Sequence, residues 1–243
     1  MSIKKVVCCS LAAGLLVIGG LLPFAAQASV VIAGTRVVYN AKDPEVTIKL
    51  SNNGENPALT KVWLDKGDPK ADPSTIELPF TITPAMSRID PAKAQTLRIA
   101  YTGEPLPQDK ESVFYLNVLE IPPKPTADEA GANHMQLAFR SRIKFFFRPA
   151  GLKGSADEAP GKLTWHVAEK NGKPVLQVTN PTLYHVTVMA AEVDTGKVEN
   201  GNMVAPGATL DLPLTGQATA GTKLRFTTLN DYGGPVQGET VLQ

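Results

Sequence analysis

Cysteine is nearly absent from this sequence: the only two copies, Cys8 and Cys9, lie in its first 28 residues. That opening segment has two lysines near its start, a short apolar core and an A-x-A ending at Ala28. These features are typical of a cleavable signal peptide and disfavour a retained membrane anchor, so we expect residues 1–28 to be removed after Ala28. The exported chain would then contain no cysteine and would depend on a packed core instead of disulfides.

A strong net charge is absent as well. Loss of the two lysines in residues 1–28 reduces the 24 basic residues to 22, against 23 acidic residues. This near balance gives no reason to expect nucleic acid or an acidic membrane surface as the main partner. The 243 residues less these 28 leave 215, which is enough for two domains of about 100 residues each.

The sequence also lacks the motifs of catalytic and metal sites. His134, His166 and His185 lie far apart, and none has a Cys, Asp or Glu at metal-ligand spacing. There is no nucleotide-binding glycine loop and no nucleophile elbow. The triplet that begins at Asp194 resembles half of an aspartic protease site, but that chemistry needs two carboxylates that share a proton, and no second triplet occurs. We therefore expect no enzyme activity, no metal, no nucleotide and no other cofactor.

Helical periodicity is missing, whereas short strand patterns recur along the chain. Runs rich in Val, Ile, Thr and aromatic residues are bounded by Gly, Pro, Asn and Asp. The first of these runs, VVIAGTRVVYNA at residues 30–41, predicts one extended strand. The stretch RPAGLKGSADEAPGK at residues 148–162 is the best candidate for a linker. We predict an all-β fold of two immunoglobulin-like β-sandwich domains, residues 29–150 and residues 151–243.

One predicted strand, from about Met135 to Arg148, combines an apolar face with a row of cations. Alternation places these residues on the first face: Met135, Leu137, Phe139, Ser141, Ile143, Phe145 and Phe147. The opposite face includes the cations Arg140, Arg142, Lys144 and Arg148. At about 14 residues the strand is long, and it lies where an immunoglobulin-type sandwich commonly has an edge strand. A long apolar edge needs a cover, and addition of a partner's strand is a known one.

Eight motifs in one order carry a resemblance to a known family. They are AGTRVVYNA, SNNGENPALTKVWLD, FTITPAMSRIDPAKAQTLRI, ESVFYLNVLEIPP, RSRIKFFFRP, TNPTLYHVTV, MVAPGATLDLPL and LNDYGG. Together, behind a signal peptide, they resemble the periplasmic pilus chaperones of the chaperone–usher pathway. The resemblance runs nearly end to end and implies two immunoglobulin-like domains in a boomerang arrangement.

The resemblance also implies a function without enzymatic chemistry. A chaperone of this family works in the periplasm and binds pilus or fimbrial subunits by donor-strand complementation, in which it supplies the strand that the subunit lacks. It then delivers the subunit to an outer-membrane usher. Self-association is a possible cover for the strand edge of the free chaperone.

Three sets of residues match sites of the family. The pair that anchors a subunit's C-terminal carboxylate corresponds to Arg36 and Lys144. The alternating donor-strand residues correspond to Met135, Leu137 and Phe139. The charged trio that ties the two domains together corresponds to Glu111, Arg148 and Asp231. Arg140 and Arg142 match none of these sites, and we expect them to be solvated.

Two other classes of protein stay open at this point. A pilus or adhesin subunit would carry a cysteine pair and a polar N-terminal extension with alternating apolar residues. A secreted carbohydrate-binding module would expose aromatic side chains, whereas Trp63 and Trp165 lie in strand patterns that suggest a core. The loop KPTADEAGAN, at residues 124–133, is modest in length, and with the lack of cysteine it is similar to the short-loop subgroup associated with rod-like pili.

Overall fold

The computed structural model describes residues 29–124 and 136–243, which form two β-sandwiches. The strands of the N-terminal sandwich are β1 Val30–Ile32, β2 Arg36–Asn40, β3 Val46–Asn52, β4 Ala58–Asp65, β5 Phe80–Thr83, β6 Met86–Ile89, β7 Ala94–Tyr101, β8 Ser112–Ile121 and β9 Phe139–Arg148. The strands of the C-terminal sandwich are β10 Thr164–Lys170, β11 Lys173–Thr179, β12 Val186–Val193, β13 Gly196–Val198, β14 Met203–Val204, β15 Thr209–Pro213, β16 Lys223–Leu229 and β17 Pro235–Val241. Within the described ranges, no helix has the length and apolar character needed to cross a membrane.

Two sheets enclose the core of the N-terminal sandwich. One has the strand order β1-β3-β7-β5, and the other has the order β2-β9-β8-β4-β6. Alternate side chains of each sheet point inward, as the two-residue period of a strand requires. Leu50 and Leu97 from the first sheet meet Leu116, Phe145 and Phe147 from the second, and all five are fully buried. The apolar face predicted for β9 is therefore part of this core over its C-terminal half.

The run at residues 30–41 is two strands, so the prediction of one extended strand is wrong. The chain breaks at Gly34, whose φ of 140° lies in a region that favours glycine. Before the break β1 pairs antiparallel with β3, and after it β2 pairs parallel with β9. The break thus transfers the chain from one sheet to the other and brings Arg36 beside β9.

The C-terminal sandwich packs a three-stranded sheet, β10-β11-β15, on a sheet of order β13-β12-β16-β17, with β14 beside β12. Trp165 is buried in its core, 5.3 Å from the ring of Phe226. Part of the predicted linker packs on this core, since Ala159 is buried in it and Leu152 packs against it; Leu163, directly after the linker, is also buried there. A 3-10 helix at Ala159–Lys162 holds Ala159 and Leu163 in place.

The prediction that Trp63 lies in a core is wrong. In β4 the inward positions include Val62 and Leu64, and Trp63 between them points to the outer face of its sheet. There its ring lies under a guanidinium, with the Cζ atom of Arg140 4.9 Å from the ring centroid. Side chains alternate along β4, so Trp63 shares the outer face of the sheet with Leu59, Lys61 and Asp65.

Candidate functional site

The outer face of β9 and β2 gathers five cations, and the row reaches the C-terminal sandwich at Lys144 and Arg148. They are Arg36 on β2 and Arg140, Arg142, Lys144 and Arg148 on β9. The parallel register of the two strands makes Arg36 the Cα partner of Lys144. Like charges so close together repel one another unless counter-ions balance them. The five cations differ in whether a carboxylate of the chain supplies that balance.

Arg148 joins the two sandwiches through two carboxylates. Its guanidinium donates to Glu111 Oε2 at 2.8 and 3.0 Å, and to the Asp231 carboxylate at 2.8 and 3.1 Å. Glu111 precedes β8 of the N-terminal sandwich, whereas Asp231 lies between β16 and β17 of the C-terminal one. Burial alone would lower the pKa of Arg148, but the hydrogen bonds and charges of Asp231 and Glu111 outweigh it and raise that pKa. The charged trio named from the sequence is thus in direct contact across the domain boundary.

His185 also contacts Glu111 at the domain boundary, and no sequence motif around His185 predicted this role. The backbone N–H of His185 donates to Glu111 Oε1 at 3.0 Å, and its ring Nδ1 lies 3.0 Å from the same oxygen. The ring also packs 5.6 Å from that of Phe146 on β9. A pocket of about 250 Å³ lies here, and Arg36, Phe146 and His185 are among its lining residues. The domain boundary is therefore built from both apolar and ionic contacts.

Arg36 and Lys144 have no carboxylate within ion-pair distance among the described residues. The Lys144 ammonium donates to the Thr187 hydroxyl of β12 at 3.2 Å, while the buried Nε of Arg36 has no hydrogen-bond partner. Burial, and then the positive charge of Arg36, lower the pKa of Lys144. Burial also lowers the pKa of Arg36, against the opposing effect of Asp231 and Glu111. The pair is a partly dry, positively charged position that suits an anion.

The expectation of solvation is wrong for Arg142, which is partly buried, whereas Arg140 is exposed as expected; both contact the buried carboxylate of Asp65. Arg142 donates to its two oxygens at 2.5 and 3.0 Å, and the Arg140 guanidinium lies 3.6 Å away. Arg140 also donates to Asn117 Oδ1, at 2.7 and 3.0 Å. Arg142 stacks on the Tyr115 ring at 3.6 Å from its centroid. Sequence reasoning missed this network because its members lie on three different strands.

The edge of β9 is covered along only half of its length. β8 pairs with β9 from Phe139 to Phe147, but on the other side β2 pairs only with residues 144–148. Within the part of the chain that the structure describes, no strand pairs with the free edge of Phe139–Ile143. The prediction of an edge strand therefore holds for this half, and it is wrong for residues 144–148.

The donor-strand residues lie at the open end of this strand. The strand begins at Phe139, four residues later than predicted, because β8 ends where Glu120 pairs with Phe139. Leu137 precedes the strand and is 50% exposed, and Phe139 is partly buried. Met135 and most of the loop before it lie outside the described residues. An apolar row thus leaves the core at Ile143 and continues toward solvent.

Two family models match nearly all of the described chain. Residues 29–153 match the pili and flagellar-assembly chaperone, PapD N-terminal domain, and residues 158–240 match the pili assembly chaperone PapD, C-terminal domain. The chain belongs to the pilus-assembly chaperone family. This membership does not support the two alternatives, a pilus subunit or a carbohydrate-binding module.

Similar relatives and solved structures share most of the length of this chaperone. The probable fimbrial chaperone YadV of Escherichia coli strain K12 is 44% identical over 223 residues, which cover 88% of this chain and 90% of that protein. The chaperone protein FimB/FhaD of Bordetella pertussis is 44% identical over 230 residues, covering 92% and 91%. The crystal structure of the YadV chaperone superposes with a TM-score of 0.74 at 39% identity, covering 88% of this chain and 100% of that one. The SafB chaperone of Salmonella enterica, solved with the SafA pilin, gives a TM-score of 0.76 at 26% identity, covering 90% and 98%.

Proposed function

We propose that this chaperone binds pilus subunits in the periplasm by lending the open edge of β9 to a subunit that lacks a strand. The observation that carries the proposal is the start of β2 at Arg36, which leaves one side of Phe139–Ile143 without a strand partner within residues 29–124 and 136–243. Backbone N–H and C=O groups on such an edge can pair with an extended segment of another chain. The complex of the SafB chaperone with the SafA pilin supports a pilin as the partner.

The client strand is proposed to run parallel to β9 and to end at Arg36 and Lys144. Because β2 is itself parallel to β9, such a strand would lie in line with β2 and meet its first residue. β2 occupies the edge beyond that point, so the client chain must end there or turn away. A C-terminal carboxylate would meet two cations that have no carboxylate partner among the described residues, and would form charge-assisted hydrogen bonds with both. A chain has only one such group, so this contact would set the register of the whole client strand.

Met135, Leu137 and Phe139 are the side chains that we propose to fill the client's open core. They belong to the same alternating row as Phe145 and Phe147, which are fully buried in the chaperone. The complex would therefore extend one apolar row from the core of the chaperone into that of the client. Full burial of each such side chain contributes about 1.5–3 kcal/mol, so binding needs no nucleotide.

Glu111, Arg148 and Asp231 are proposed to hold the two domains at a fixed angle. This angle matters for the site because Thr187, which contacts Lys144, belongs to the C-terminal sandwich. A rigid boundary would keep the Lys144 ammonium aimed at the client's chain end, which lowers the ordering cost of binding.

The earlier and later steps of the pathway are part of the same proposal. Residues 1–28 direct export and are cleaved after Ala28, and the two domains comprise residues 29–150 and 151–243. The loaded chaperone delivers its subunit to an outer-membrane usher, where another subunit's strand replaces β9. The free edge is covered by self-association in the absence of a client, and the modest loop before β9 fits the subgroup that builds rod-like pili.

Co-purification from the periplasm with the cognate subunit tests the anchor. Arg36→Ala and Lys144→Ala should each remove the subunit from the purified complex, while circular dichroism shows a folded chaperone. Arg88→Ala is the matched control, because Arg88 is an exposed cation of the same sheet that pairs only with Asp90. Full recovery of the subunit with both site variants would show that the carboxylate is not held here.

A separate substitution tests the donor strand. Leu137→Glu places a charge in the proposed client core and should prevent subunit stabilisation. Met189→Glu is its control, since Met189 is similarly exposed on the C-terminal sandwich. Normal pilus assembly with Leu137→Glu would rule out this part of the proposal.

A further inference from the structure

Glu120 is a buried carboxylate near the end of β8, and its hydrogen-bond partners among the described residues are Ser29 and Val30. Its side chain is 8% exposed. Oε1 accepts hydrogen bonds from the backbone N–H of Ser29, at 3.2 Å, and from the Ser29 hydroxyl. Oε2 accepts one from the backbone N–H of Val30 at 3.0 Å. The carboxylate of one sheet thus holds the first strand of the other.

The carboxylate has no cation to balance it among the residues that the structure describes. No Lys, Arg or His of those ranges lies within 4.0 Å of Glu120. Residues 125–135, which lie outside those ranges, contain no lysine or arginine and one histidine, His134. Peptide N–H groups and a hydroxyl are neutral donors, and a buried charge without an opposite charge costs several kcal/mol. A positive charge on one of the groups that already donate to Glu120 would remove this cost.

We infer that this charge is the α-ammonium group of Ser29, and that Glu120 is the binding site for the processed N-terminus. Hydrolysis of the Ala28–Ser29 bond by a signal peptidase consumes one water, leaves a carboxylate on Ala28 and gives Ser29 a protonated amine. The amide nitrogen that donates to Glu120 in the unprocessed chain becomes the ammonium nitrogen. This inference rests on the cleavage position that is part of the proposed function.

The turn after β3 also contacts Ser29 and fixes its position at the start of β1. The Ser29 carbonyl accepts a hydrogen bond from the backbone N–H of Asn53 at 2.8 Å. The turn after β3 packs closely on its side chain, because a Cβ atom added to Gly54 would lie 2.5 Å from the Ser29 Cβ. Val30 then begins β1 as the Cα partner of Asn52. The close approach of this turn to Ser29 therefore depends on glycine at position 54.

The ion pair would link removal of the signal peptide to the structure at the start of the open β9 edge. Glu120 is the Cα partner of Phe139, the first residue of β9. An N-terminus held by Glu120 therefore ties β1 of one sheet to the point of the other sheet where the open edge begins. Removal of the signal peptide would complete the N-terminal sandwich as well as release the chain from the membrane.

The first experiment uses chaperone exported with its own residues 1–28 and purified from the periplasm. Its intact mass should correspond to a chain that begins at Ser29, and any other start overturns the inference. A second form carries Asn-Gln-Thr inserted between Ala28 and Ser29, which moves the ammonium away and restores an amide at Ser29. Urea unfolding should show that the insertion lowers the folding equilibrium constant about tenfold, as expected for a hydrogen-bonded charge.

A double-mutant cycle then assigns this loss to Glu120. In the Glu120→Gln background the insertion should change the folding constant by no more than about twofold, since the ion pair is already absent. Glu77→Gln is the control at an exposed carboxylate, and it should leave the effect of the insertion at about tenfold. An equal effect of the insertion with Glu120 and with Gln at this position would overturn the ion pair.

A measurement on the unaltered chaperone covers the case in which Glu120→Gln does not fold. Periodate cleaves the amino alcohol of an N-terminal serine, so its rate reports whether the Ser29 amine and hydroxyl are free. In the native protein this rate should be at least about tenfold lower than in urea, because both groups are bound to Glu120. Equal rates would overturn the inference. Subunit co-purification with Arg36→Ala tests the anchor separately, so either idea can fail while the other stands.

Discussion

Arg36 and Lys144 are Cα partners across a parallel pair of strands, and both are partly buried without a carboxylate partner among the described residues. Neighbouring cations on the same face, Arg142 and Arg148, each have a buried carboxylate partner. Three internal carboxylates thus neutralise the rest of the row and leave one position for an external anion. A client carboxylate that bound elsewhere on this face would have to displace a buried ion pair.

The preference for a chain end leads to the first prediction. A peptide with the C-terminal strand sequence of the cognate subunit should bind at least about tenfold more weakly when its carboxylate is amidated, because a hydrogen bond to a charged group contributes about 1.5–3 kcal/mol. Fluorescence polarisation of the labelled peptide measures this ratio. With Lys144→Met the ratio should fall toward one, since half of the anchor is missing. Equal affinities of both peptides for the unaltered chaperone would contradict the anchor.

The second prediction is that Lys144→Met stabilises the free chaperone while it weakens client binding. The pKa of Lys144 is lowered by burial and by Arg36, so the folded state bears a penalty for the charged form. Methionine removes that penalty, and the gain should be a few tenths to about 1 kcal/mol after allowance for solvent screening. The gain should be full at neutral pH. It should shrink as the pH rises toward about 10.4, where lysine loses its charge in the unfolded chain.

Urea unfolding at pH 7 and at pH 10 measures this effect. Lys49→Met serves as the control at an exposed lysine of β3, where no gain is expected. A clear loss of stability with Lys144→Met would show that this lysine serves the fold, and would weaken its assignment to a client.

The local sequence pattern predicted which face of β9 is buried, but not which residues pair with its cations. The two-residue period of a strand needs no tertiary information, so it placed Phe145 and Phe147 in the core before the fold was known. The partner of Arg142 depends on the register of three strands, and Asp65 lies 77 residues away in sequence. No local signal specifies such a pair.

The change of sheet between β1 and β2 was hidden for a similar reason. The residues on either side of Gly34 all favour a strand, and a propensity scale cannot say that they belong to different sheets. The glycine itself was the available signal, because a glycine within a strand pattern often marks a break. The start of β9 was also placed too early, since an alternating sequence does not reveal where the partner strand ends.

The third prediction concerns Asp65, which is 1% exposed and holds Arg142, Arg140 and Asn117. Asp65→Asn should destabilise the chaperone by about 2–4 kcal/mol, less than a fully buried pair because the arginines are partly exposed. Burial alone would raise the pKa of Asp65, but hydrogen bonds from Arg142, Asn117 and the Gly67 N–H lower it. Its stabilising effect is therefore present above about pH 4 and is lost as the pH falls through the folded-state pKa.

Urea midpoints of the two proteins at pH 7 and pH 3 check both parts of this expectation, and the difference should be smaller at pH 3. Asp90→Asn is the control, because its pair with Arg88 is exposed on both sides and should contribute at most about 1 kcal/mol. A difference that is independent of pH would mean that the Asp65 charge is not what stabilises this face.

The fourth prediction ranks the three charges between the domains by burial. Arg148→Met leaves Glu111, which is 2% exposed, without its guanidinium and should cost about 3 kcal/mol. Asp231→Asn should cost only about 1 kcal/mol, because Asp231 is 33% exposed and Arg148 keeps Glu111.

The double variant Arg148→Met with Glu111→Gln should recover part of the loss, since it also removes the buried carboxylate that Arg148→Met leaves without a partner. Urea unfolding of the three variants gives the ranking, and an Asp231→Asn cost equal to that of Arg148→Met would show that the exposed carboxylate, not the buried one, dominates the tie.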